Sequence, residues 1–134
     1  MAELDPASAL LTAFVAPARR DRYLGLLASA AGRAKLRRAL AHFRDLDPRF
    51  ATPVPPAGHA PGALAALLAG HGAPPTCYLL AEDAALDGRE LPLAEALTAV
   101  VGRGMGAFVS CVPGRLALYE GEEPGSRALL RRPA

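Results

Sequence analysis

Seven of the eight basic residues between positions 19 and 44 form the densest set of side chains able to bind a charged partner. They are Arg19, Arg22, Arg33, Lys35, Arg37, Arg38 and Arg44. Guanidinium groups match the oxygens of phosphates and carboxylates in bidentate geometry. At about 100° per residue in a helix, Arg33, Arg37 and Arg44 fall on one flank of an apolar stripe. Lys35 and Arg38 fall on the other side, so the helix has the charge to bind an acidic protein or a nucleic-acid backbone.

Two features of this basic region weigh against nucleic acid. The turn between the second and third predicted helices reads Ala-Ala-Gly-Arg and offers no Asn or Gln that could read base edges. Aromatic residues make up only 5% of the chain, which leaves few rings for stacking on single strands. An ordinary solvated arginine face is therefore the leading interpretation of these residues, a protein partner ranks second, and nucleic acid ranks third.

Glu82, Asp83 and Asp87 form a second charged cluster, directly after the first predicted strand. Paired carboxylates act as acid and base in enzymes or bind a hard cation. The end of a central strand is also where α/β sheets often place ligands. The spacing matches no calcium loop, so a solvated acidic loop is the leading interpretation, and a ligand or cation site at this end of the sheet is the weaker one.

The remaining reactive residue types form no complete site. His42, His59 and His71 lack the spacing of a zinc site. The glycine-rich segment 102–106 lies between a predicted helix and a strand, the reverse of the order in a phosphate-binding loop. We therefore predict no catalytic residues, no metal and no cofactor.

The two cysteines of the chain, Cys77 and Cys111, each lie inside an apolar run. Secreted disulfide scaffolds carry more cysteines and place them in loops. We expect both thiols to be buried and unbridged, on neighbouring strands or near the sheet.

Length and composition indicate one cytoplasmic domain. The chain has 134 residues, the size of a single domain. It contains no run of about 18 apolar residues, so we expect no membrane partner. Glu3 and Asp5 occupy positions where a signal peptide carries bases. A single lysine among many Arg, Ala, Gly and Pro residues indicates a bacterium with GC-rich DNA.

Charge is distributed unevenly along the chain. Residues 17–50 carry nine bases and three acids, a formal charge of +6, whereas residues 76–125 carry eight acids and three arginines, a charge of −5. The tail adds Arg127, Arg131 and Arg132. Two segments of opposite sign indicate either a charged partner or contact between the two halves of the chain.

Periodicity predicts an α+β fold with the element order α-α-α-α-β-α-β-β. A basic helical part (1–50) leads through a Pro-rich connector (51–62) to a sheet-containing part (63–121) and a polar tail (122–134), all within one domain. We expect a three-stranded sheet covered by helices, whose last two strands form an antiparallel hairpin. A helical crossover between the first two strands would allow them to be parallel, and the pattern leaves that open.

No reaction follows from these residues. The leading hypothesis is a small non-enzymatic interaction or regulatory protein that uses charge-complementary faces and binds a protein partner or a second copy of itself. The alternative is a nucleic-acid-binding accessory protein that uses the Arg-rich helices. A weaker alternative is a small-ligand binder or enzyme with its site at Glu82, Asp83 and Asp87.

Overall fold

The structure is a computed structural model and describes residues 5–54, 60–123 and 126–133. These described residues form five α-helices: α1 (Pro6–Phe14), α2 (Pro17–Leu26), α3 (Ala30–Ala39), α4 (Pro61–Gly70) and α5 (Leu93–Val100). A short 3-10 helix, Leu40–His42, continues α3. Asp5 begins α1 because its carboxylate accepts the Ser8 amide at 2.9 Å and Pro6 suits the first helical position.

Six strands form one sheet in the described residues. They are β1 (Ala51–Pro53), β2 (Thr76–Ala81), β3 (Glu90–Pro92), β4 (Ala107–Val112), β5 (Leu116–Glu120) and β6 (Ala128–Arg131). Their order across the sheet is β1-β6-β5-β4-β2-β3, and every neighbouring pair is antiparallel.

Helices cover both faces of this sheet. Because side chains alternate along a strand, Leu79 and Val109 pack under α4 and α5, whereas Leu80 and Phe108 pack under α1, α2 and α3. All four side chains are at most 1% exposed. The apolar run of β2 predicts a strand covered on both faces, and the structure confirms it.

The predicted α+β class is confirmed, but the three-stranded sheet is wrong because β1, β3 and β6 were missed. β1 and β3 have only three residues each and contain Pro53 and Pro92, so neither shows an alternating pattern. β6 lies in the segment predicted to be a polar tail, where Leu129 and Leu130 are buried between β1 and β5. Residues 55–59 of the predicted Pro-rich connector lie outside the described residues.

The first two predicted strands, β2 and β4, are antiparallel to each other. Both β3 and β4 pair antiparallel with β2, so they run parallel to each other on either side of it. The predicted helical crossover is α5, and it joins β3 to β4 rather than β2 to β4. The expected antiparallel hairpin is confirmed as β4 and β5.

Two helix boundaries differ from what the local residue types indicate. Glycine commonly follows the end of a helix, but α2 ends at Leu26 and Gly32 lies inside α3, whose N-cap is Ser29. The apolar spacing of the third helix continues to Leu46, but helical structure ends at His42. There the Tyr119 hydroxyl donates to the Leu40 carbonyl at 2.6 Å and accepts the Phe43 amide at 3.2 Å, which satisfies the backbone groups at the helix end.

Candidate functional site

The two charged clusters expected from the sequence contact each other. Arg33 on α3 binds the Asp87 carboxylate with both arms of its guanidinium, from Nε at 2.8 Å and from Nη2 at 3.1 Å. Its Nη2 also donates to the Tyr78 hydroxyl at 2.6 Å. The Asp87 carboxylate further accepts the Ala81 amide at 3.0 Å. The hydrogen bonds of Arg33 to Asp87, which has the larger effect, and to Tyr78 raise the pKa of Arg33 above its ordinary value.

Arg37 extends this contact by one helical turn. Its Nη2 donates to the Glu82 carbonyl at 3.2 Å, and its Nε lies 4.0 Å from the Asp87 carboxylate. The Glu82 carboxylate accepts the Gly106 amide at 3.0 Å, so it is directed to the start of β4. Asp83 is exposed and accepts the Ala85 amide at 2.8 Å within its own loop. Of the three predicted acidic residues, Glu82 and Asp87 therefore connect structural elements.

The other basic residues predicted as a binding set remain on the surface. Arg19 and Arg22 are exposed on α2, Lys35 and Arg38 on α3, and Arg44 beyond the 3-10 helix. In the described parts of the chain, none of the five has a carboxylate within 4.0 Å. We call these five residues the helical cationic surface. Arg44 was predicted on the flank of Arg33 and Arg37, but the early end of the helix separates it from them.

Tyr23 anchors α2 beneath this surface. Its hydroxyl donates a hydrogen bond to the Asp45 carboxylate, and its ring lies 4.9 Å from that of Phe43. Burial, followed by the bond to Asp45, raises the pKa of Tyr23 to about 12. The side chain is therefore a neutral donor at physiological pH, and it attaches α2 to the segment after α3.

Sequence reasoning missed a further group of arginines at the end of the sheet. Arg115, Arg131 and Arg132 lie together where β5 and β6 pair, and Arg49 lies near them. The signal was the excess of arginines in the last residues of the chain, which were interpreted as a solvated tail. Arg127, from the same segment, instead forms an ion pair with buried Glu120 at 2.6 Å.

An open groove of about 450 Å³ runs along the outer side of α5. Leu86, Leu91 and Ala99 form apolar parts of its wall, and Arg89 and Arg103 are its cationic residues. Within the described ranges, no group of three or more His, Cys, Asp or Glu side chains is placed to hold a metal ion. In the same ranges no helix has both the length and the apolar character required to cross a membrane.

The cysteine prediction is confirmed. Cys77 and Cys111 are both free and 4% exposed, on the neighbouring strands β2 and β4. Burial raises the pKa of Cys77 to about 11 and that of Cys111 to about 12. Both groups are thiols rather than thiolates at neutral pH, and a thiol is a poor nucleophile.

Comparison of the chain with protein-family models, with curated proteins and with solved structures finds no match. The proposals below are therefore argued from the residues and their geometry.

Proposed function

We propose that this protein is a non-enzymatic interaction protein whose helical cationic surface binds an acidic region of a protein partner. The observation that carries the proposal is the unequal use of charge on α3. Arg33 binds the Asp87 carboxylate, and Arg37 donates to the Glu82 carbonyl. Lys35 and Arg38 on the same helix are exposed and, in the described residues, have no carboxylate within 4.0 Å.

The charge that remains available is mainly positive, because five exposed bases outnumber the exposed Asp21 of α2. α2 and α3 pack against each other, so the exposed bases of the two helices lie on neighbouring elements. An acidic partner would find several cations there without having to displace an internal ion pair. Rim charges of this kind chiefly accelerate association and select the partner.

A different molecule fits this surface better than a second copy of the chain. Self-association through opposite charges needs a free acidic face, and the cluster after β2 is the one that the sequence offered. Asp87 and Glu82 are already bound within the chain, by Arg33 and by the Gly106 amide. Only Asp83 of that cluster is fully exposed, and the other exposed acids of residues 76–125 are spread over β3, α5 and the segment after β5, so the cluster after β2 offers too little free charge to match five bases.

Nucleic acid is the second candidate partner. The observation that favours it is the composition of the surface, which is four arginines and one lysine, since guanidinium groups bind phosphate as well as carboxylate. The two candidates differ in the polymer bound, and therefore one competition experiment separates them.

Labelled polyglutamate, duplex DNA, single-stranded DNA and RNA are the probes for a fluorescence-anisotropy titration at low salt. We expect polyglutamate to bind best and its affinity to fall as salt is raised, because exposed charge pairs are screened. The double variants Arg19→Ala/Arg22→Ala and Lys35→Ala/Arg38→Ala should each weaken binding about three- to tenfold.

The matched control is Arg89→Ala/Arg103→Ala, which removes the same charge from the groove along α5. It should leave polyglutamate affinity within about twofold of the wild type. Stronger binding to DNA or RNA than to polyglutamate would transfer the proposal to the nucleic-acid candidate. No binding to any probe, or equal losses in all three double variants, would contradict a dedicated helical surface.

A further inference from the structure

The end of the sheet opposite the Arg33–Asp87 contact carries a separate basic cluster, defined as Arg115, Arg131 and Arg132 and called the strand-end cluster. Leu116 pairs with Arg131, and the Arg132 amide donates to the Arg115 carbonyl at 2.9 Å. The antiparallel pairing of β5 with β6 therefore brings Arg115 close to Arg131 and Arg132, which are distant from it in the sequence.

The three arginines, all of them exposed, border a small half-open cavity. Together with His71 at the end of α4, they line a space of about 240 Å³ whose apolar wall is formed by Val112, Leu116 and Pro133. Pockets that enclose a drug-sized ligand measure about 300–1,000 Å³. This cavity is smaller, so its size suits one compact charged group.

The protein itself holds the side chain of Arg132 and the backbone of Arg115. The Nη1 of Arg132 donates to the Ala13 carbonyl at 3.2 Å, and its guanidinium carbon lies 4.8 Å from the centre of the Phe50 ring. Arg115 follows a tight turn in which Gly114 has a φ of +73° and the Arg115 amide donates to the Val112 carbonyl at 2.9 Å. A ligand would therefore meet partly ordered donors, which lowers the entropy lost on binding.

Among the described residues, no acid forms an ion pair with the strand-end cluster. In the described residues, none of the three arginines has a carboxylate within 4.0 Å. Asp47, whose charge interacts with Arg132, is bound to Arg49 at 2.7 Å. The C-terminal end of α4 contributes only about half a negative elementary charge, which is small beside three guanidinium groups.

We propose that this cavity binds the phosphate group of a small molecule. A phosphate carries a charge of about −1.5 to −2 at pH 7 and three acceptor oxygens, so it can engage several guanidinium groups at once. A carboxylate carries one charge and two oxygens, and one arginine fork satisfies it. Three arginines that line one cavity therefore fit the dianion better than the monoanion. The proposal is independent of the helical cationic surface.

The surroundings leave room for an organic substituent on the phosphate. A neighbouring cavity of about 380 Å³ also includes Arg131 and Pro133, and it is lined by Phe50, Thr52 and Leu129. A phosphate monoester with a small apolar substituent would place its charged end in the first cavity and its substituent in the second. Inorganic phosphate would occupy the first alone.

Isothermal titration calorimetry at constant ionic strength tests the site with inorganic phosphate, phenyl phosphate and acetate. We expect saturable binding of both phosphates and at least about tenfold weaker binding of acetate. Tighter binding of phenyl phosphate than of inorganic phosphate would identify a monoester as the ligand, and equal or weaker binding would identify free phosphate. Arg115→Ala and Arg131→Ala should each weaken phosphate binding about tenfold or more.

Arg131→Lys provides a second variant, because it keeps the charge and removes the planar fork, and it should lose less affinity than Arg131→Ala. Arg89→Ala/Arg103→Ala is the control, because both arginines lie in the groove along α5 and outside the two proposed binding sites, and it should leave phosphate affinity unchanged. Thermal unfolding without ligand verifies that each variant is folded. No saturation up to about 10 mM phosphate, acetate binding as tight as phosphate, or an equal loss in the control would overturn the proposal.

Discussion

Asp87 joins three parts of the chain through one carboxylate. It accepts both arms of Arg33 from α3 and the amide of Ala81 at the end of β2. The Asp87 side chain is only 10% exposed. Loss of its negative charge would therefore leave the positive charge of Arg33 partly buried and without its ion-pair partner. This one residue therefore fixes the helical layer against the end of the sheet.

Asp87→Asn tests that role without changing the size of the side chain. We expect the free energy of unfolding to fall by about 2–3 kcal/mol, less than the roughly 3–5 kcal/mol of a fully buried pair, because Arg33 retains contact with water. Asp83→Asn makes the same change at an exposed position of the same loop and should cost about 0.5 kcal/mol or less. Urea unfolding of the two variants measures the difference, and equal losses would mean that Asp87 has no special structural role.

The cysteines give the molecule a predictable response to alkali. Their thiol pKa values are raised from 9.0 to about 11 for Cys77 and about 12 for Cys111 because burial disfavours the thiolate. The folded state therefore holds protons that the unfolded state releases above pH 9. By linkage, stability is constant below that pH and falls as pH rises through the range from about 9 to about 12.

Cys77→Ala/Cys111→Ala removes both groups and should flatten this decline. The measurement is the free energy of unfolding in urea at pH 8, 9 and 10, and the comparison uses the slope, since the lost packing lowers stability at every pH. In the wild type, a disulfide-forming thiol reagent should react slowly at pH 8 without urea and fast with it. Fast reaction of both thiols in the native protein would contradict their burial.

At the scale of the elements, the α2–α3 connection depends on a single close approach. A Cβ atom added to Gly32 would lie 2.2 Å from the Leu26 carbonyl oxygen at the end of α2. Gly32 is therefore required inside a helix, where glycine is otherwise unfavourable. Glycine is common just beyond a helix end and unfavourable inside a helix, so the sequence alone indicates a helix end at Gly32.

Gly32→Ala should destabilise the protein by about 1–3 kcal/mol, because backbone of α2 must move to admit the methyl group. Gly25→Ala is the matched control. Gly25 also lies in a helix, but no atom lies within 4 Å of the added Cβ, so this change should be neutral or stabilise by up to about 1 kcal/mol. Thermal or urea unfolding distinguishes the two, and a neutral Gly32→Ala variant would refute the close approach.

The elements that periodicity predicted well are those with long one-sided or two-sided apolar patterns, such as β2, β4 and α5. The missed strands β1 and β3 adopt strand structure because they pair with residues distant in the sequence. With three residues each, they are too short to show an alternating hydrophobic pattern. β6 shows the same limit, because Arg131 at its end made a buried strand resemble a tail. Local sequence does not encode which remote strand completes an edge.

The candidate sites followed the same rule. Residue types and charge runs identified both clusters, and the possibility that the two halves contact each other was left open beside a charged partner. Only the fold shows that Arg33 and Arg37 meet Asp87, while Lys35 and Arg38 do not. The strand-end cluster was invisible for a similar reason, since Arg115 and Arg131 become neighbours through strand pairing alone.

At the scale of the whole molecule, the sheet separates two hydrophobic cores. Tyr23, Tyr78 and Tyr119 all lie on the side covered by α1, α2 and α3, whereas Cys77 and Cys111 lie on the side covered by α4 and α5. The chain has three tyrosines, two cysteines and no tryptophan. Tyrosine signals therefore report on one core and thiol reactivity on the other, and no label is needed.

We expect the two cores to unfold together, because strands β2, β4 and β5 contribute side chains to both and cannot lose one face without disturbing the other. In a urea titration, tyrosine near-ultraviolet dichroism and the extent of cysteine alkylation in brief pulses should show the same midpoint. Leu36→Ala on the helical side and Leu97→Ala on the other side each truncate a side chain with no exposed area. Each should cost about 2–5 kcal/mol and shift both probes equally. If Leu36→Ala lowers the tyrosine midpoint but not the thiol midpoint, the helical layer unfolds independently and the chain is not one cooperative domain.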